Sequence, residues 1–165
     1  MPKINSKNKG SRVELEVVKI LEKRFGKGKF RKVPSSGALV GGKNKEMSEN
    51  LDISQKDTLA SDIICPPNFS FSVEVKGRKE ASFWDLFNKK AELNDWLNQV
   101  YEDAEFANKK PLLIVKYNRK PMIAYVLTFT TFNTYTSKCI FLYKSWSCCL
   151  LDDLLKEPDE FWMRQ

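Results

Sequence analysis

Three ionisable side chains near the middle of the chain have the types and spacing of a metal-dependent active site. Asp62 leads a short apolar run, Ser61–Cys65, while Glu74 and Lys76 belong to a second run, Phe69–Lys76, in which apolar and polar residues alternate. Alternation with a period of two is typical of a strand with one buried face. It predicts that Glu74 and Lys76 point the same way, to the side opposite the apolar residues.

The segment Pro66-Pro67-Asn68 separates these two runs and predicts a turn between them. The runs would then pair as an antiparallel hairpin with Asp62 opposite Glu74, where Cβ atoms lie about 4.5–5.5 Å apart. Two carboxylates at that distance repel each other unless a cation lies between them. The pair, with Lys76 beside it, predicts a divalent-metal site with a cationic helper.

Composition narrows the classes of function. The 165 residues suit one domain with its own core, and the net charge of +7 favours a polyanionic partner, nucleic acid ahead of an acidic membrane surface. The chain has no histidine, which excludes Ser-His-Asp triads, Cys-His dyads and histidine-ligated zinc. Any catalysis must therefore use carboxylates, Lys, Ser, Tyr or Cys.

The cysteines and the apolar runs bear on location. Cys65, Cys139, Cys148 and Cys149 form no C-x-x-C pair, which favours reduced thiols in a cytosolic protein over a zinc site or a disulfide framework. The polar, basic start lacks the apolar centre of a secretory signal, and no apolar run approaches the ~18–20 residues of a membrane span. We expect a cytoplasmic protein, or one in the host cytoplasm if phage-encoded, with no membrane partner and no small-molecule cofactor.

The first part of the chain predicts a basic N-terminal arm over 1–10 and a single domain over 11–165. A helix is predicted from Ser11 to Phe25, with Gly26 just beyond its end. Glu14 heads the inward-facing stripe of this helix, where an acid is unusual unless it has a function. The alternative is a first-turn acid favoured by the helix dipole.

The remaining elements predict an α/β domain whose central mixed sheet is flanked by helices. The polar segment 41–60 predicts a functional or mobile loop, and its Asp52 and Asp57 are alternatives to Asp62 as a metal ligand. Residues 128–138 fit no single element. Helices and strands are predicted at Phe30–Pro34 (strand), Ser82–Asn108 (helix), Leu112–Tyr117 (an interior strand), Met122–Leu127 (strand), Cys139–Tyr143 (strand) and Leu150–Lys156 (helix).

Asp62 followed by Glu74-Val75-Lys76 resembles the signature of the PD-(D/E)-x-K nucleases, which implies a restriction-endonuclease-like core. Other segments resemble the Holliday-junction resolvases of archaeal type and their phage relatives, and together they cover roughly residues 9–127. These segments are Gly10–Glu16, Arg31–Gly37, Ser61–Ile63, Val73–Lys76 and Lys110–Tyr117.

The resemblance implies a catalytic set of Glu14, Asp62, Glu74 and Lys76, assisted by Ser35 or Ser36. Asp62, Glu74 and the Val75 carbonyl would bind Mg²⁺, with Mn²⁺ as a substitute, because a hard cation prefers oxygen ligands. Glu14 would hold a second metal or a metal-bound water. Gln99 corresponds to a polar residue that some relatives place near the site. The implied enzyme is a homodimer that cuts branched DNA in recombination and repair.

Basic side chains are expected to hold the DNA backbone without reading bases, so that binding depends on salt and on DNA shape. Two alternatives stay open: a repair or restriction-type nuclease of the same fold acting on linear or damaged duplex, and a basic DNA-binding module without catalysis. The predicted DNA-contacting residues are Lys7, Lys9, Arg12, Arg31, Lys32, Lys43, Lys45, Arg78 and Lys79.

Overall fold

The structure is a computed structural model, and it describes residues 6–34, 61–80, 82, 87, 92–128 and 139–164. The first helix, α1, spans Ser6–Phe25. It begins five residues before the predicted start, so residues 6–10 of the predicted arm are helical. A single glycine inside a helix costs only about 1 kcal/mol, so Gly10 does not end it. Gly26, with φ of +111°, ends the helix where predicted.

A small two-stranded sheet follows, and it corrects the predicted hairpin. Strand β1 (Arg31–Lys32) pairs antiparallel with β2 (Ile63–Ile64), so β2 forms its ladder with the segment after α1 and not with the run after Asn68. Pro66 and Pro67 come one residue after the end of β2, and they have no backbone N–H with which to continue a ladder. The Phe69 N–H instead closes a turn onto the Pro66 carbonyl at 2.9 Å.

The main sheet has five strands in the order β3-β4-β5-β7-β6. Only β3 and β4 run parallel, and the helix α2 crosses over between them; the other pairs are antiparallel. The mixed sheet flanked by helices confirms the predicted α/β class. The elements are β3 (Phe71–Arg78), α2 (Glu92–Phe106), β4 (Lys110–Tyr117), β5 (Met122–Leu127), β6 (Cys139–Tyr143) and β7 (Trp146–Leu150).

Helix α2 is shorter than predicted. The helical spacing of its buried residues is confirmed, but Ser82 and Phe87 lie outside the helix and the Phe87 side chain is exposed. The first turn of α2 is tied to the end of β3, because Arg78 Nε donates to Glu92 Oε2 at 2.9 Å. The Arg78 guanidinium also lies 4.6 Å from the Trp96 ring centroid. These contacts lie at the start of α2. They join residues distant in the chain, so the local spacing of apolar residues does not predict them.

The C-terminal segment confirms two predictions and adds two elements. The predicted strand Cys139–Tyr143 is β6, and the predicted closing helix is a short α3 (Leu151–Leu154). Strand β7 and a last helix, α4 (Asp159–Trp162), were missed. Since α4 supplies two fully buried aromatic residues, the segment completes the core. No helix in the described part of the chain is long and apolar enough to cross a membrane.

The sheet carries an apolar cluster on each face, one beneath α1 and one beneath α2. Helix α1 approaches β3 closely at Gly77, where an added Cβ would meet Val13 Cγ2 at 3.0 Å. This close approach brings Glu14, the residue after Val13, to the edge of β3. The aromatic side chains of the α1-side cluster are Phe25, Phe30, Phe69, Phe71, Phe161 and Trp162.

Candidate active site

Strand β3 is buried on both faces, which corrects the prediction of one buried face. The polar-face residues Ser72 and Glu74 are 4% and 5% exposed, because the parallel crossover places α2 over them while α1 covers the apolar face. The alternation itself is confirmed, since Phe71, Val73 and Val75 belong to the α1-side core. Glu74 is therefore a carboxyl group inside the protein and not on a solvated strand face.

Asp62 is fixed by its backbone and its side chain at once. Its carbonyl accepts from the Val33 N–H at 2.9 Å, and its own N–H donates to the Val73 carbonyl at 3.0 Å. The carboxylate Oδ2 accepts from the Val75 N–H at 2.9 Å. Asp62 thus contacts β3 on both sides of Glu74, so the two acids are neighbours although the predicted hairpin ladder is absent.

Glu74 has a strongly perturbed pKa. The pKa of Glu74 is raised from 4.5 to about 8: burial is the largest cause, the nearby Asp62 charge adds to the rise, and the charge and hydrogen bond of Lys76 oppose it. The Lys76 ammonium donates to Glu74 Oε1 and also to Gln99 Oε1, the latter at 3.2 Å. Gln99 therefore lies beside the site, as expected, and holds the lysine from α2.

Glu14 points into the same region from α1. Burial raises the pKa of Glu14, and the Asp62 charge adds to that rise; Lys32 and Lys76 oppose it. Lys32 Nζ lies 3.1 Å from Glu14 Oε2, and the Glu14 side chain is only 12% exposed. Because α1 begins at Ser6, Glu14 lies more than two turns inside the helix. The helix-dipole explanation for this acid is therefore wrong.

The fit of a divalent cation rests on the pair Asp62 and Glu74. Within the described residues, no group of three acidic or cysteine side chains is close enough to form a metal cluster. The negative charge of Asp62 nevertheless makes Glu74 harder to ionise, and a bound cation would offset that electrostatic cost. Their oxygen donors also suit a hard cation, so the residues present fit such an ion.

Asp103, one helical turn after Gln99 on α2, also lies near the site and was not among the predicted site residues. The pKa of Asp103 is raised from 3.8 to about 6, with burial as the largest cause. A hydrogen bond with Gln99 and the Lys76 charge oppose the rise, whereas the Glu102 and Asp62 charges add to it. The spacing of Asp103 from Gln99 could have identified it. Residues four apart on a helix share a face, and Gln99 is predicted to lie near the site.

The predicted DNA-contacting residues divide by their environment. Lys32 is paired with Glu14, and Arg78 with Glu92, so both have intramolecular partners. Lys79 is exposed and lies 3.4 Å from the equally exposed Glu80. Arg12 and Arg31 are exposed. Lys7 and Lys9 belong to α1, but their side chains are not among those described. Outside the described residues lie Ser35, Ser36, Lys43, Lys45, Asp52, Asp57 and the whole 41–60 loop.

A buried acid pair with Glu-x-Lys on a strand of a mixed sheet is the arrangement expected of a nuclease of the PD-(D/E)-x-K type. Comparison with known proteins agrees: residues 5–145 match the family described as "Phage putative PDDEXK endonuclease". The chain belongs to this family of nucleases.

Two individual proteins are similar to this chain. Protein D14 of Escherichia phage T5 is 32% identical over 122 residues, which span 70% of this chain and 67% of that protein. Among solved structures, Hjc of Archaeoglobus fulgidus, a Holliday junction resolvase from an archaeal hyperthermophile, aligns over 90% of this chain and 93% of its own, with 16% identity and a TM-score of 0.40.

Proposed function

We propose that this protein is a metal-dependent endodeoxyribonuclease that hydrolyses phosphodiester bonds in branched DNA, with the four-way junction as its substrate. The observation that carries the proposal is the position of Glu74, buried between Asp62 and the Lys76 ammonium in a chain of the PDDEXK family. Burying such a group is costly for folding, which favours a function for it.

The metal in this proposal is Mg²⁺, with Mn²⁺ able to replace it, and Asp62, Glu74 and the Val75 carbonyl would hold it. When bound, the ion supplies positive charge at the scissile phosphate and makes a water molecule more acidic. The hydrogen bond from the Val75 N–H to Asp62 Oδ2 fixes the orientation of that carboxylate in advance. One proposed ligand is thus held by the backbone of β3, and a ligand held in place lowers the cost of binding an ion.

Lys76 is the proposed cationic catalyst. Glu74 and Gln99 hold its ammonium from two sides, so its position does not depend on one contact. A fixed positive charge next to the reacting phosphate stabilises the negative charge that grows in the transition state. Glu14, which faces the same region, is proposed to orient water or a second ion, and Ser35 or Ser36 to donate to a phosphate oxygen.

The choice of branched DNA rests on the resemblance of five segments to the junction resolvases, together with the net charge of +7, which suits a polyanion. Because a four-way junction has two strands to cut, we propose that the protein acts as a homodimer with one site per copy. Recombination and DNA repair are the processes that such cutting serves.

The test is a cutting assay on a synthetic four-way junction and on a linear duplex of the same sequence, with Mg²⁺, Mn²⁺ or EDTA. We expect cutting of the junction with either metal, none in EDTA, and much slower cutting of the linear duplex. Equal rates on both substrates would favour the repair or restriction-type nuclease. Binding without cutting under any condition would favour the non-catalytic module.

Two isosteric variants assign the site in the same assay. Asp62→Asn and Glu74→Gln should lower the single-turnover rate about 10²–10³-fold, the range seen when one charge-stabilising group is removed. The matched control is Asp152→Asn, which makes the same change at an exposed acid of α3. Wild-type rates in either site variant would contradict the assignment.

A further inference from the structure

A second cationic region lies at the other end of the β3–β4 pair from Lys76. An open cleft of about 600 Å³ is lined there by Lys109, Lys110 and Arg164, with Glu160 as an acidic member of the lining. Lys110 pairs with Phe71, the first residue of β3, and its ammonium lies 5.9 Å from the Phe71 ring centroid. Phe71 belongs to the α1-side face of β3, whereas Glu74 faces α2, so the cleft is separate from the site around Glu74.

The backbone holds Lys110 and Arg164 in place. The Lys110 N–H donates to the Ser70 carbonyl at 2.8 Å, and the Arg164 N–H donates to the Asn68 carbonyl at 2.7 Å. The Arg164 guanidinium also donates to the Asn108 carbonyl. These hydrogen bonds join the C-terminal segment to the turn between α2 and β4. They hold the Lys110 and Arg164 side chains near each other.

Among the described residues, no acid forms an ion pair with Lys110 or Arg164. Burial lowers the pKa of Lys110, and the neighbouring Arg164 charge lowers it further. Two positive charges held near each other repel, which costs free energy. An anion bound between them would be attracted to both and would offset that cost.

We propose that this cleft binds a backbone phosphate of the DNA, at a place separate from the cutting site. The guanidinium fork suits phosphate oxygens, and the ammonium adds a point charge. The inference rests on the proposed function, since it takes DNA as the polyanion.

The test measures DNA affinity in EDTA, where no cutting occurs, over a series of salt concentrations. Lys110→Gln and Arg164→Gln should each weaken binding several-fold at low salt. Each should also lower the slope of log Kd against log salt by about 1, the contribution of one neutralised phosphate. Cutting rates at saturating DNA with Mg²⁺ should match the wild type, because neither side chain belongs to the cutting site.

The matched control is Lys156→Gln, which removes the same charge from an exposed lysine that pairs with Asp153. If the cleft variants bind DNA like this control, the proposal is wrong. Since Arg164→Gln also removes the contact to Asn108, Arg164→Lys serves as a second variant that keeps the charge and should retain most of the salt slope.

A wild-type protein that binds no DNA would contradict the proposed nuclease function, and a second measurement then decides about the cleft. Inorganic phosphate is titrated while the backbone amide signals of Ser70 and Lys110 are followed by NMR. Saturable shifts that Lys110→Gln abolishes would support a phosphate site independent of DNA. Shifts absent from the wild type would overturn the cleft proposal as well.

Discussion

Alternate residues of β3 face two different environments. On the α1 side, Phe71 packs against Trp162 at a ring-centroid distance of 5.3 Å and is fully buried with only apolar neighbours in its cluster. On the α2 side, Glu74 is almost as buried, yet it faces Asp62 and Lys76. Burial stabilises the first face and costs free energy on the second. One strand thus carries both part of the apolar core and the residues proposed for catalysis.

The largest change in free energy should come from a substitution on the apolar face of β3. Phe71→Ala removes a fully buried ring and should lower the free energy of unfolding by about 3–5 kcal/mol, measured by chemical denaturation. The control Leu142→Ala, at a side chain that is 54% exposed, should cost about 0.5 kcal/mol or less. A cost for Phe71→Ala near that of the control would show that this face is not the core.

Catalysis should depend on the opposite face. Lys76→Met keeps the length of the side chain and removes its charge, so the single-turnover cutting rate should fall about 10²–10³-fold, which corresponds to about 2.7–4 kcal/mol. The control Lys156→Met makes the same change at an exposed lysine that pairs with Asp153 and should leave the rate near that of the wild type. A Lys76→Met variant that cuts normally would contradict the division of β3 into two faces.

The pH dependence of stability should separate the two faces in the metal-free protein. The pKa of Glu74 is raised from 4.5 to about 8 in the fold, so between these values the folded protein holds a proton that the unfolded chain releases. Stability therefore falls as pH rises, by about 2 kcal/mol between pH 6 and pH 8 from this group.

Glu74→Gln should remove that part of the slope, as measured by denaturation at each pH, and Phe71→Ala should lower stability equally at every pH. A divalent cation should recover stability at pH 8 in the wild type and not in Glu74→Gln, because binding requires the ionised carboxylate. An unchanged slope in Glu74→Gln would show that another group titrates.

The smallest change in free energy should come from a substitution at Asp103, at the edge of the polar face of β3. Asp103→Asn removes a partly buried acid that interacts with Gln99, which in turn accepts from Lys76. The cutting rate should fall no more than about tenfold, about 1.4 kcal/mol, with DNA affinity unchanged. Asp95→Asn, an exposed acid on the same helix, is the control. A loss as large as that of Lys76→Met would make Asp103 part of the cutting site itself.

Local patterns predicted much of this fold. The period of two in Phe69–Lys76 placed Phe71 and Glu74 on opposite faces, and Met122–Leu127 was predicted with its correct bounds. The buried stripe of α2 followed from helical spacing, but its start at Glu92 depends on Arg78 and Trp96. Contacts between residues distant in the chain leave no period in the sequence, so the start of α2 was placed too early.

The sequence by itself determined which residues are the candidates for the chemistry. An acid ahead of Glu-x-Lys, on an alternating strand in a basic chain without histidine, is a local pattern, and side-chain direction along a strand follows from backbone geometry alone. Only the tertiary structure decided the contacts that bring Asp62 next to Glu74 and the depth at which Glu74 is buried. It also decided that Lys110 and Arg164 lie near each other. Those features depend on the parallel pairing of β3 with β4 and on the return of the C-terminal segment. Long-range pairing is selected by the burial of whole surfaces, which no short stretch of sequence records.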